Sequence, residues 1–595
     1  MSDLELGLIG NCQISVLIDK RGRFVWGCFP RMDSDPFFCS LLRPQGQDDF
    51  GVFEIELQDF SHAKQSYVEN TAILATELYD TAGNAARIVD FAPRYQNYGR
   101  SFHPIMVIRN VTPLSGSPAI RIRFRPAADY GARRPDMGHG SNHIRISNGH
   151  FTLRLTTNAP LAAVMEERVL LLEDAITLIL GPDEPITDRP NKITREMFGE
   201  TRTYWERWSR ALSIPFEWQQ EVIRAAITLK LCTYEDTGAV LAALTTSIPE
   251  APDSGRNWDY RYCWLRDSFY TVHALNRLGA TKTMEEFLRY IFNLVADLGS
   301  GNRLQPVYGI TGQPALDERH VETLSGYRGM GPVRVGNDAY RQIQNDVYGA
   351  TVLAATQIFF DRRLRRQGRP EDFTRLQRLG RQAAKLFDQP DAGPWEYRGR
   401  SAIHTYSSVM CWAACDRLAR IAQRFGQTEQ AARWTNIARQ IRERILAEAW
   451  CEKRNSFVAF FSGDMLDASL LTLAELGFIS PQDPRYLGTV AALEKELKRG
   501  PYLFRYSNPD DFGAPETAFN ICTFWYINAL AAVGRQEEAR ELFTNMLERR
   551  NTLGLLSEDL NPAGGELWGN FPQTYSMVGI IIGAMRLSRS WEEAL

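Results

Sequence analysis

Patterned cysteine is the first thing this chain lacks. Its 595 residues include nine cysteines, an odd number, scattered, with no C-x-x-C pair. That spacing excludes a disulfide frame and points to reduced thiols in a cytoplasmic protein. Cys411 and Cys415 lie one helical turn apart, which core packing explains without a metal. The eight histidines are equally dispersed, so neither a metal nor another cofactor is expected. An excess of one charge sign is also missing. A formal net charge of −3 creates no field that would favour nucleic acid or a membrane surface. No apolar run reaches the roughly 18–20 residues that cross a bilayer; the most apolar window, Val578–Met585, is far shorter. The opening MSDLELGLIGNCQ has no basic segment followed by an apolar one, so it does not read as a signal peptide. G-x-S-x-G, Walker A, H-E-x-x-H and dinucleotide fingerprints are all absent. Oligomeric state leaves no trace in the sequence.

What is present begins with length, which is too great for one core and predicts two large domains. Residues 11–180 carry short runs with turn signals between them. Gln13–Ile18 and Phe24–Cys28 flank the turn Asp19-Lys-Arg-Gly22. Val52–Leu57, Ala72–Tyr79, Ala86–Phe91, Pro104–Val111, Ala119–Phe124, His143–Ser147, His150–Thr156 and Ala175–Leu180 continue the series. Such a pattern predicts a β-sandwich. From Glu217 onward the apolar period becomes helical. Gln219–Tyr234, Trp264–Leu278, Met284–Ala296, Tyr340–Phe360, Phe373–Phe387, Ala402–Phe425, Thr428–Ala449, Thr517–Ala532 and Gln536–Arg549 read as helices. Asp467–Leu476, Thr489–Leu497 and Gln573–Leu587 bring the count to about twelve. Six helical hairpins can close into a toroid, although an open solenoid would give the same pattern. The division is therefore a sandwich over residues 1–192, a linker helix over 193–216 and a helical domain over 217–595. The long loop Gly301–Asn337 is of the kind that carries function.

Aromatic content is mildly raised, with 13 Trp, 22 Tyr and 31 Phe; cores use such rings, and so do sugar clefts. Four loops of the helical half concentrate rings and charges. Arg256–Asp267 packs four aromatic residues, Trp258, Tyr260 and Trp264 among them, with three Arg and two Asp into twelve positions, which reads as a rigid polar loop running into a helix. Its closing Arg266–Asp267 pair can grip sugar hydroxyls or stitch a helix to its neighbour as a buried ion pair. In Gly393–Gly399, Glu396 stands between Trp395 and Tyr397. Rings desolvate a carboxyl and favour the neutral form that a general acid needs; a surface Glu paired with Arg398 is the alternative. Leu555–Tyr575 carries Glu558, Asp559 and Glu566. One carboxylate suffices as a general base, while capping and turn chemistry account for Asp559. Arg334, Arg505 and Glu516 are further candidates for hydroxyl binding. Two separated loop carboxylates suit glycoside hydrolysis, in which one protonates the leaving oxygen and the other activates water.

These motifs, in this order, resemble glycoside hydrolase family fifteen in its bacterial form, over nearly the whole chain. The carriers are Ile9-Gly-Asn, Trp26 and Pro30-Arg-Met-Asp-Ser-Asp35, then Asn257–Asp267, Gly326–Asn337 and Gln344–Gly349. Trp395-Glu396, Leu556-Ser-Glu558 and Gly569-Asn-Phe-Pro-Gln573 complete the set. The resemblance implies a sandwich followed by an (α/α)6 barrel, with Arg266 and Asp267 holding a terminal glucose. It also implies Glu396 as general acid and Glu558 as general base. The expected substrate is a short α-glucan cut from its non-reducing end with inversion, and α,α-trehalose is the alternative. The inverting mechanism sets the carboxyl groups about 6.5–9.5 Å apart. Tyr397 occupies a place that is acidic in fungal members, and the segment around Arg505 and Glu516 fits only loosely. Readings from other classes are an inactive carbohydrate-binding protein and a phosphorylase.

Overall fold

A computed structural model describes residues 3–43, 50–297 and 303–594. The first two residues of the chain, the first two of the long 301–337 loop and the last of the helical domain lie outside it. The N-terminal part is two antiparallel sheets packed face to face. One runs in the order Leu6–Gly10, Ser15–Asp19, Phe24–Cys28, Val52–Leu57, Ala119–Arg125, Val169–Leu171, with Pro36–Phe38 also on Phe24–Cys28. The other runs Asp136–His139, His143–Ser147, Thr152–Thr157, Ile176–Pro182, Val107–Ser115, Ala85–Phe91, Leu74–Asp80, Phe60–Tyr67. Their inner faces meet through Val16, Phe24, Phe53, Ile88, Ile120 and Leu178.

The linking helix spans Pro190–Arg210, three residues earlier at its start than the sequence pattern gave and six earlier at its end. Proline at the first helical position presets φ, which accounts for the early start. Two concentric rings of elements follow. Leu265–Arg277, Asp346–Thr356, Thr405–Arg424, Ala468–Leu473, Asn520–Ala532 and Thr574–Leu587 pack in that order, and the last returns to the first. That contact closes the barrel and excludes the open solenoid. Gln219–Leu231, Thr281–Asp297, Pro370–Leu386, Thr428–Glu448, Pro484–Leu497 and Gln536–Glu548 form the outer ring. Inner elements are buried around most of their circumference, so they read as near-continuous apolar runs.

Two inner elements differ from their sequence pattern. Asp467–Leu476 becomes a short 3-10 helix, Ala468–Leu473, in which Asp467 accepts from the backbone N–H of Ser469 at 2.9 Å. The single helix expected over Tyr340–Phe360 is broken. A 3-10 turn covers Asp338–Arg341, and the α-helix begins only at Asp346. The extended residues between them enter the cavity described next.

Among the described residues no helix is long and apolar enough to cross a membrane, and no cluster of His, Cys, Asp and Glu is placed to hold a metal. All nine cysteines are free thiols.

Candidate active site

One cavity opens at an end of the barrel, and its walls come from loops that link the rings. The segment Arg256–Asp267 forms much of it through a two-residue alternation. Asn257, Asp259 and Arg261 are fully buried and point away from the cavity. Asp259 and Arg261 pair at 2.7 Å, and Arg261 also donates to the carbonyl of Ser34 in the sandwich at 2.7 Å. Trp258, Tyr260 and Trp264 project the other way and line the cavity. The period is that of an extended strand, so the segment presents a polar scaffold on one side and rings on the other. Asn570 ties it down from behind by donating to the carbonyl of Trp258 at 2.8 Å.

Glu396 sits on a tight turn in which the Tyr397 N–H donates to the Ala392 carbonyl at 3.1 Å. Its own φ is +59°, a conformation that costs a non-glycine residue about 1–3 kcal/mol and tends to persist at functional sites. The turn is anchored by Asp391. One oxygen of Asp391 contacts His404 Nδ1 at 2.7 Å, and the other accepts from the Asn345 N–H at 2.7 Å. Gly393, at φ +69°, lies so close to the His404 ring that a Cβ there would sit 2.6 Å from it. Oε1 of Glu396 accepts from Trp264 Nε1 at 2.7 Å, Gln344 Nε2 at 3.1 Å and Arg266 at 3.4 Å. Its side chain remains 24% exposed, so the desolvation by Trp395 and Tyr397 foreseen in the sequence is only partial.

Glu558 is held differently. It precedes the strand Asp559–Leu560 of a three-stranded sheet, with its N–H on the Asn570 carbonyl at 3.2 Å. Only 1% of Glu558 is exposed. Tyr260 donates to Oε1 at 2.8 Å, while Oε2 has no hydrogen-bond partner among the described residues. Burial, reinforced by Glu250 and Asp559 nearby, pushes its pKa well above the usual carboxylate range; Tyr260 and Arg505 pull the other way. Gly569 makes this position possible. A Cβ there would stand 2.6 Å from Cβ of Glu558 and 2.8 Å from Oε2.

At the buried end of the cavity, Arg266 donates to Gln344 at 2.9 Å and Asp346 at 3.1 Å, and it lies 3.9 Å from Asp267. Among the described residues that oxygen of Asp267, Oδ2, has no hydrogen-bond partner, and neither has the Tyr575 hydroxyl. Burial raises Asp267 to about 7. Arg266 is stitched to its neighbours, as the ion-pair reading expects, while Asp267 keeps one acceptor without a hydrogen bond among the described residues. Near Glu558, Arg505 pairs with Glu250, which also accepts from Trp258 Nε1 at 3.0 Å.

The cavity thus brings together Trp258, Tyr260, Trp264, Arg266, Asp267, Trp395, Glu396, Arg505 and Glu558. Two residues singled out in the sequence lie outside it. Glu516 is exposed on the neighbouring surface. Arg334 is buried behind Trp258, with its guanidinium 4.6 Å from that ring and donating to the Asn257 carbonyl at 2.8 Å. Arg398 packs on the same ring at 4.3 Å, so Trp258 is already engaged by cations. Residues that sequence reasoning missed include Glu250, Gln342, Tyr506, Asp510, Phe512 and Tyr575. The break in the 340–360 pattern, at Gln342-Ile-Gln344, was the one visible signal for Gln342.

Comparison with known proteins adds three findings. Residues 218–584 match the model of glycosyl hydrolases family 15, and residues 4–169 match that of the trehalase-like N-terminal domain. A trehalase of Thermoplasma volcanium is 33% identical over 99% of this chain and 93% of its own length. A trehalase of Mycolicibacterium smegmatis is 31% identical over 99% and 92%. Among solved structures, a bacterial glucoamylase in complex with acarbose superposes with a TM-score of 0.68, covering 98% of this chain and 94% of its own, at 13% identity. That likeness shows a shared fold, a sandwich followed by an (α/α)6 barrel.

Proposed function

This chain belongs to glycosyl hydrolases family 15 and is an O-glycosyl hydrolase acting on carbohydrate; from that premise we propose that it hydrolyses α,α-trehalose with inversion. The observation that carries the chemistry is the pair Glu396 and Glu558 in one cavity, both touched by side chains of the segment Arg256–Asp267. The choice of trehalose over the short α-glucan first expected rests on full-length relatives named trehalase.

In this reading one glucosyl unit occupies the buried end. Asp267 and Tyr575 offer open hydrogen-bonding groups to its hydroxyls, and Trp264 offers a ring edge beside it. Glu396 gives its proton to the glycosidic oxygen. As the C1–O bond breaks, Glu558 takes a proton from the water that attacks C1 from the opposite face. The attacked unit leaves as β-glucose and the departing unit as α-glucose. The strong proton affinity of Glu558 makes it an effective base once ionised. The hydrogen bond from Tyr260 holds one of its oxygens, leaving Oε2 for the water.

The test is proton NMR of the anomeric signals during turnover of trehalose, maltose, maltotriose and isomaltose. Equal initial α- and β-glucose from trehalose is the expected result. β-Glucose from maltose or isomaltose with trehalose left intact would replace this reading with the short-glucan one. Glu396→Gln and Glu558→Gln should each lower turnover by about 10²–10⁴-fold while the thermal melt stays sharp. Near-normal activity in either variant would remove that residue from its role.

A further inference from the structure

Three joined segments stand at the outer end of the cavity. The guanidinium of Arg398 packs on the Trp258 ring. The N–H groups of Arg398 and Gly399 both donate to Oδ2 of Asp511, at 2.9 and 3.0 Å. Next to Asp511, Asp510 forms a two-point ion pair with Arg256, at 2.7 and 2.5 Å. Because Arg256 and Trp258 share one segment, the three joints close on themselves into a collar.

The tip of the collar is stiffened from within. Phe512 N–H donates to Oδ1 of Asp510 at 2.8 Å, Asp510 N–H donates to the Gly513 carbonyl at 3.1 Å, and the Tyr506 hydroxyl also bonds Asp510. Gly513, at φ +95°, makes that turn possible. On the outside, Arg400 reaches from the Glu396 turn to the Pro509 carbonyl at 2.7 Å. Exposure marks this as the mouth. Arg398 and Asp511 are exposed, whereas Arg266, Asp267 and Glu558 are buried at the far end. The collar's joints use none of those deep residues.

We propose that this collar is a length gate, the specificity-determining device that admits an α-linked glucose disaccharide and excludes longer glucans. The inference rests on the disaccharide reading above. A chain cut from its end places its terminal sugar at the buried end, and every sugar beyond the second must pass outward between Trp258, Arg398 and the 510–512 tip. With the collar shut, both units of a disaccharide are enclosed and a third has no exit.

The test measures binding, which separates the gate from the chemistry. Glu396→Gln holds substrate uncut, and calorimetric titration compares trehalose, maltose and maltopentaose on the full chain. Maltopentaose should bind this variant at least about tenfold more weakly than the preferred disaccharide. Adding Asp511→Ala should tighten maltopentaose about tenfold while moving the disaccharide by less than about threefold. Arg400→Ala loosens the collar without removing any group from the cavity, and it should shift the ratio in the same direction. Equal affinity for disaccharide and pentasaccharide before any loosening would overturn the gate. So would an unchanged ratio in the Arg400→Ala protein with its melt intact. If maltose binds and trehalose does not, the trehalose assignment fails, and the gate is still read from the maltose-to-maltopentaose ratio.

Discussion

Glu396 receives three side-chain donors on one oxygen, whereas Glu558 receives a single hydroxyl and buries its other oxygen without one. Removing that hydroxyl with Tyr260→Phe takes away a hydrogen bond that favours the anion, so the already raised pKa of Glu558 moves further up. In its proposed role as base, Glu558 works only when ionised. The acid limb of the kcat/KM profile should therefore shift to higher pH in Tyr260→Phe, with a rate loss of about 10–100-fold below it. A rate loss with no movement of that limb would show that Tyr260 acts otherwise. At this scale the sequence was informative where rings and charges are concentrated in one loop, as in Asn257–Asp267. It was silent on Glu250, which lies in an ordinary-looking stretch and acquires its surroundings from distant loops, and it gave no role to Tyr575, although that residue closes the Leu555–Tyr575 loop. Glu516 misled because Arg505 and Glu516 are near in sequence, yet the turn at Asp510–Gly513 leaves only Arg505 facing inward.

Among elements, helices were the most readable, because a stripe or a run of apolar residues survives whatever the element packs against. Strand Phe60–Tyr67 went unseen. It is an edge strand with mostly polar, exposed residues, and nothing in its pattern demands burial. Leu6–Gly10 went unseen for the opposite reason: it is buried at every position, so it lacks alternation. The inner helices Asp346–Thr356 and Thr405–Arg424 approach so closely at Gly349 that a Cβ would lie 2.3 Å from the Met410 carbonyl oxygen. Backbone cannot swing aside as a side chain can. Gly349→Ala should therefore cost about 1–3 kcal/mol, read as a lowered Tm. It should also weaken activity, since Asp346 on the same helix holds Arg266. An unchanged Tm would show that the two helices separate freely.

For the molecule as a whole, several buried carboxyls lie above their ordinary range. Burial takes Asp90 in the sandwich to about 6 despite its pair with Arg109, Asp267 to about 7 and Asp559 to about 8. Each binds its proton more tightly in the folded protein than in the unfolded chain, where the pKa is about 4. The stability they contribute is present below that value and is lost as pH rises through the folded values. The Tm should therefore fall between pH 6 and pH 8, and scanning calorimetry across that window checks it; a flat or rising Tm would contradict the shifts.

The segment from Arg256 to Asp267 reaches Glu396 through Trp264 and Arg266 and Glu558 through Tyr260, while its reverse side is pinned to Ser34 of the sandwich. An engineer would call this common-mode rejection. A displacement passed from the sandwich through Arg261 would carry the side chains that hold Glu396 and Glu558 in the same direction, so that in the proposed mechanism the gap for the attacking water is kept while its frame of reference moves.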